Sequence, residues 1–124
     1  MLTNTHKGYK KLIVYQKSRE LVLLTYKLTK LFPKEEMYVL LPQMRRAAIS
    51  VMANIVEGYV KSTNEFIRFL NISIGSITEL EVFFELAYDL KYVSKADNEK
   101  SNDLIVETKK LLYSFQKSLK SSRK

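Results

Sequence analysis

One histidine, His6, and no cysteine are what this 124-residue chain offers to the commonest catalytic and metal-binding chemistries. Thiolate zinc sites, cysteine nucleophiles and disulfides are excluded outright. With a single imidazole near the start of the sequence, most histidine-based metal and general-base chemistry is excluded too. His6 reads as a terminal residue rather than a ligand. No Gly-rich phosphate loop, nucleophile elbow or His-Glu-x-x-His run is present. Glu57, Glu79, Glu81 and Glu85 are the acids spaced to form a carboxylate pair for proton transfer, but glutamates on helix surfaces are ordinarily just solvated. The expectation is a protein that is not an enzyme and has no cofactor or metal.

What remains is positive charge. The chain holds 21 Lys plus Arg against 13 Asp plus Glu, a formal net charge of +8. The excess is terminal: residues 1–34 carry +7, residues 35–94 carry −3 and residues 95–124 carry +4. Lys10, Lys11, Lys17, Arg19, Lys27 and Lys30 are the candidates in the first helix for neutralising nucleic-acid phosphates without reading sequence. Lys109, Lys110, Lys117 and Lys120 offer the same in the last. Tyr9, Tyr15 and Tyr26 lie among the basic residues; they are either the rim of a core or platforms for bases. The competing reading of the charge is solubility alone.

Positioning these residues falls to helices. With 3 Gly and 2 Pro the chain has few breakers, and no sustained alternation of apolar and polar residues suggests a strand. Punctuation predicts four helices in one domain, over about 11–31, 42–58, 63–90 and 95–119. The first ends at Phe32-Pro33. Pro42 suits the first turn of the second, and Gly58 reads as its C-cap. Ser62 or Thr63 caps the third, and Ser94 with Asp97 forms a capping-box pattern for the fourth. The last few residues should fray. Short connections make neighbours antiparallel, so the expected fold is all-α, an up-down-up-down four-helix bundle. No stretch approaches the roughly 20 apolar residues of a membrane span, and no signal-peptide pattern opens the sequence. A cytoplasmic protein without membrane contact is expected.

At 100° per residue, the second helix carries an apolar arc of about 240°, broken only by Arg45, and the end of the third does the same. A helix on the surface of a monomer needs an apolar stripe of little more than 100°. The surplus predicts a homo-oligomer. The rest of the second helix is a polar strip, Gln43, Arg46, Ser50, Asn54 and Glu57. It is either the solvent face or a hydrogen-bonded network between helices or subunits, with Glu57 or Glu79 supplying a carboxylate to the arginine. Gly75, inside the third helix, costs about 1 kcal/mol against Ala and predicts close approach of another helix, or else a kink.

The run from Gln43 to Gly58, together with Leu12–Ser18, Tyr26–Pro33, Phe66–Leu70 and Gly75–Glu81, resembles the bacterial four-helix proteins encoded in intervening sequences of large-subunit ribosomal RNA genes. The resemblance spans about residues 9–93. It implies a ring-like homopentamer and kinship with the accessory protein of diversity-generating retroelements. That relative is basic, binds nucleic acid and associates with a reverse transcriptase. A reverse-transcriptase-like protein partner is therefore implied beside RNA or DNA. The resemblance also favours the structural reading of Arg46, Ser50, Asn54 and Glu57. Taken together, the expected function is a non-enzymatic, oligomeric accessory protein that binds nucleic-acid phosphates; the alternative is a protein-interaction scaffold without that binding.

Overall fold

The computed structural model describes residues 7–123. After a 3-10 turn at Gly8–Lys11 come four helices: α1 (Ile13–Thr29), α2 (Leu40–Tyr59), α3 (Thr63–Asp89) and α4 (Lys95–Ser122). A second 3-10 turn, Lys34–Glu36, lies between α1 and α2. No strand occurs among the described residues. Each helix packs on its two neighbours around a square, α1 on α2 and α4, and α3 on α2 and α4. The chain is an antiparallel, up-down-up-down four-helix bundle.

The core follows from the 3.6-residue period. In α1 the buried positions are Val14, Ser18, Leu21, Leu24, Thr25, Leu28 and Thr29; in α4 they are Ser101, Ile105, Thr108, Leu112 and Gln116. Leu21, Met44, Leu70, Ile77, Leu80, Ile105 and Leu112 are fully buried, each contributing about 1.5–3 kcal/mol through apolar burial. The buried hydroxyls do not stay unpaired. Thr25, Thr29 and Thr108 each donate to the carbonyl four residues earlier at 2.7 Å, and Ser73 Oγ crosses from α3 to donate to Val51 O at 2.8 Å. Gln116 Nε2 ties α4 to α3 by donating to Ile67 O at 3.0 Å and to Asn71 Oδ1 at 2.7 Å. Among the described residues no buried side-chain nitrogen or oxygen lacks a partner.

Ser62 Oγ accepts from Glu65 N and Ser94 Oγ from Asp97 N, so α3 and α4 start on their own serines. At α2 the local pattern gives way. The helix starts at Leu40, two residues before Pro42, and its N-cap residue Val39 makes no side-chain cap. Glu36 supplies the cap instead: Leu40 N donates to its Oε1 at 3.3 Å, and Tyr92 Oη donates to its Oε2 at 2.8 Å. Pro42, third in the helix, lacks an N–H that would have had no intrahelical partner in any case. Gly58 is not a C-cap glycine. It lies inside α2 with a negative φ, and a Cβ there would meet Phe66 Cδ1 at 2.6 Å. It is glycine because α3 starts against it. Gly75 is the reverse: it is exposed, and a Cβ would meet nothing within 4 Å. The chain's own helices supply no close neighbour at Gly75, and α3 runs unbroken through it. The helix α4 continues to Ser122, beyond the expected end near Leu119.

Arg45, which interrupts the apolar arc of α2, turns toward the end of α1. Its Nε donates to Thr29 Oγ1 at 2.9 Å and Nη2 to Tyr26 O at 3.4 Å, and its guanidinium lies 4.3 Å from the centre of the Tyr26 ring. A cation there complements the negative end of the α1 dipole.

Candidate nucleic-acid interface

The topology brings the start of α1 and the end of α4 to the same end of the bundle, beside the α2–α3 turn. Lys11, Leu12, Ile13 and Val14 line one groove with Leu111, Ser114, Phe115 and Ser118. Arg123 Nη1 donates to Asn64 Oδ1 at 3.0 Å. A chain of aromatic contacts crosses this end, from Tyr15 to Tyr9 (5.1 Å between ring centres), Tyr59 (6.2 Å), Phe66 (6.3 Å) and Phe115 (5.3 Å), so all four helices take part.

Charge follows the same geometry. The half of the bundle formed by residues 7–21, 50–76 and 109–123 carries 12 Lys plus Arg and 3 Asp plus Glu; the other half carries 8 and 10. The two basic ends of the sequence therefore meet in space, at one end of a molecule whose far end is slightly acidic.

The six candidate bases of the first helix do not form one patch. Lys10 and Lys11 are exposed at the basic end, beside the last turns of α4, which carry Lys117 and Lys120, with Arg123 just past the helix end. Lys17 is half-buried in the α1–α4 seam, 3.2 Å from Glu107 and 3.7 Å from Glu20, so its charge is matched. Arg19, Lys27 and Lys30 are exposed along the outer side of α1, running away toward the opposite end. Lys109 is paired with Glu81 at 2.9 Å. Tyr26 gives one ring face to Arg45, and Tyr9 and Tyr15 are half-buried. His6 lies outside the described residues. Sequence reasoning missed Arg123, Lys61 and Arg68 at this end; their only signal is proximity to the α2–α3 turn and the chain end once the topology is known.

The polar strip of α2 divides. Asn54 Nδ2 donates to Ser50 O at 2.8 Å and Ser50 Oγ at 3.1 Å, and Ser50 shares a 2.7 Å hydrogen bond with Ser76 of α3. These three join two helices. Gln43, Arg46, Glu57 and Glu79 are exposed. Among the described residues Arg46 forms no ion pair with Glu57 or Glu79; Glu57 lies 3.7 Å from Lys61. Around them Ile49, Ala53, Ile72 and Gly75 are also exposed, so the α2–α3 face has a small and apolar centre with polar groups beside it. Glu81 is held by Lys109, and Glu79 and Glu85 face solvent. No group of three or more His, Cys, Asp or Glu placed to hold a metal occurs among the described residues.

A basic, all-helical bundle with one charged end is the class these features define. Residues 10–114 match the family described as 23S rRNA-intervening sequence protein, and the chain belongs to that family. It is similar to a crystal structure from Bacteroides thetaiotaomicron, described as a protein with unknown function from the S23 ribosomal protein family. The two are 30% identical with a TM-score of 0.76, over 85% of this chain and 96% of that one. No curated protein matches the chain. No helix among the described residues is long and apolar enough to cross a membrane.

Proposed function

We propose that this protein is a non-enzymatic, self-assembling helical bundle that binds RNA or DNA through its phosphates, as an accessory to a ribonucleoprotein. The observation that carries the reading is the meeting of the two basic ends of the sequence at one end of the bundle. Lys10 and Lys11 with Lys117 and Lys120 form the centre of the proposed site, and Arg19, Lys27 and Lys30 offer further contacts along α1. Such a surface binds by releasing counterions, so its affinity falls steeply with salt and carries little sequence preference.

The test is fluorescence anisotropy of labelled RNA and DNA between 50 and 200 mM salt. The expected result is a linear fall of log affinity with log salt, and a weakening of about tenfold or more when Lys117 and Lys120 are both changed to Glu. Reversing Lys27 and Lys30 should weaken binding less. No binding at 50 mM salt would remove the proposal.

Self-assembly is supported by the exposed centre of the α2–α3 face. Ile72 retains 43% of its exposure, Val82 55% and Leu86 44%. Gly75 pays the helix cost of about 1 kcal/mol for no benefit inside its own chain. A second copy packed against that face, with Arg46, Glu57 and Glu79 pairing across the boundary, accounts for both. The ring-like pentamer is the assembly that membership of the family suggests.

A protein-interaction scaffold is favoured by a different observation. Leu31, Tyr38 and Val39 are 72%, 87% and 62% exposed in the α1–α2 connection, at the end away from the basic charge. A protein partner, of the reverse-transcriptase type among others, would find its apolar contact there.

A further inference from the structure

The groove at the basic end differs from the surface around it. It has a volume of about 350 Å³ and is bounded by Leu12 just before α1, Ile13 and Val14 in its first turn, and Leu111 and Phe115 from α4. That lies within the size range, roughly 300–1,000 Å³, of pockets that take small ligands. Its polar lining residues are Ser114 and Ser118, one helical turn apart, and Lys11; no acidic residue lines it. Ile13 is 58% exposed and so open to a ligand. Phe115 is held in place edge-on by Phe66, with ring centres 5.3 Å apart. The half of the bundle containing the groove holds four times as many basic as acidic residues.

An occupant must therefore be flat or compact and apolar on its faces, able to pair with hydroxyls at its edge, and attached to negative charge. An unpaired nucleobase meets all of these conditions. Its faces would lie against Ile13 and Phe115. Its edge would meet two serines, which donate and accept alike and so tolerate any base. Its flanking phosphates would fall among the lysines. Bases inside a duplex are stacked and cannot enter, whereas single strands present theirs to apolar and aromatic surfaces.

We propose that the groove between the start of α1 and the end of α4 takes an unpaired base, making the protein a binder of single-stranded nucleic acid in preference to duplex. The inference rests on the phosphate-binding reading and adds a base-dependent contribution to it.

Three labelled 15-residue probes separate the two: oligo-dT, the same length of abasic sugar-phosphate chain, and a 15-base-pair duplex. In anisotropy titrations at fixed salt, oligo-dT should bind about tenfold more tightly than the abasic chain, the scale of one stacked base. The two salt slopes should be equal, because the phosphates are the same. Oligo-dT should also bind more tightly than the duplex. Ser118→Phe, at an exposed position, fills the groove without changing charge. It should bring the ratio of oligo-dT to abasic affinity down from about ten to about one. Photocrosslinking of a 5-bromouracil oligonucleotide to the wild-type protein gives an answer that needs no variant, with adducts expected within residues 11–14 or 111–118. Equal binding of oligo-dT and the abasic chain overturns the base groove and leaves the phosphate site standing. Adducts confined to other segments, a second copy's included, do the same. Absence of binding by every probe at 50 mM salt overturns both.

Discussion

A methyl group added at Gly58 would lie 2.6 Å from Phe66 Cδ1 and 2.9 Å from Phe69 Cβ. Neither atom is the free end of a flexible side chain, so α3 itself would have to move. Overpacking of this kind costs about 1–3 kcal/mol, which outweighs the roughly 1 kcal/mol that alanine gains in a helix interior. Gly58→Ala should therefore lower the melting temperature by a few degrees in a thermal scan, although it improves helix propensity. The expectation of a C-cap at Gly58 came from a real pattern, a glycine closing an apolar run. What the sequence could not display is that Phe66 and Phe69, eight and eleven residues on, fold back onto that position. The strip on α2 failed to read cleanly for the same reason. Ser50 and Asn54 share a periodic face with Gln43, Arg46 and Glu57, yet only the first two join a network that reaches α3, because Ser76 arrives on one side of that face.

Helix starts show how local legibility ends where a distant residue takes over. Ser62 and Ser94 cap from within three residues of the N–H groups they satisfy, and both were visible as caps. The start of α2 depends on Glu36 and, through it, on Tyr92, 56 residues later. No local pattern carries that pairing. It also has a titration. The hydrogen bond to Glu36, then burial, then the charges of Glu36 and Glu35, push the Tyr92 phenol up from 10.0 to about 12. Because the folded value lies above the unfolded one, the stabilisation is complete below about pH 10 and is lost as pH rises through about 12. Tyr92→Phe should melt below the wild type at pH 8, and the difference should vanish in melts taken above pH 12. A constant difference across that range would mean that the phenol's proton contributes nothing at this joint.

At the scale of the molecule, the bundle and its order of helices were legible from punctuation and period alone. That the apolar arcs of α2 and α3 leave a surplus outside the core was legible too. Where that surplus would lie was not, because the arcs of α2 and α3 overlap the core on one side and solvent on the other. The structure puts the remainder on the α2–α3 face around Gly75. Gly75→Leu offers a clean probe, since leucine is a good helix former and its Cβ meets nothing within the chain. Circular dichroism should keep its helical signal while light scattering at micromolar concentration falls from an oligomer to the mass of one chain. A wild-type protein already monomeric under those conditions would remove the self-assembly proposal.

The uneven distribution of charge along the bundle has a consequence for kinetics. A body positive at one end and slightly negative at the other has an electric dipole moment along its long axis. In the field of a polyanion it experiences a torque and turns its basic end forward before contact. Association should therefore be fast and strongly slowed by salt, while dissociation depends far less on it. In a ring whose symmetry axis runs along the bundles, the individual dipoles add and every basic end faces the same side. In a ring of rings stacked back to back they cancel. On the proposed reading, the arrangement of the copies would then set how many phosphates an assembly could hold at once and how long it would stay on the strand.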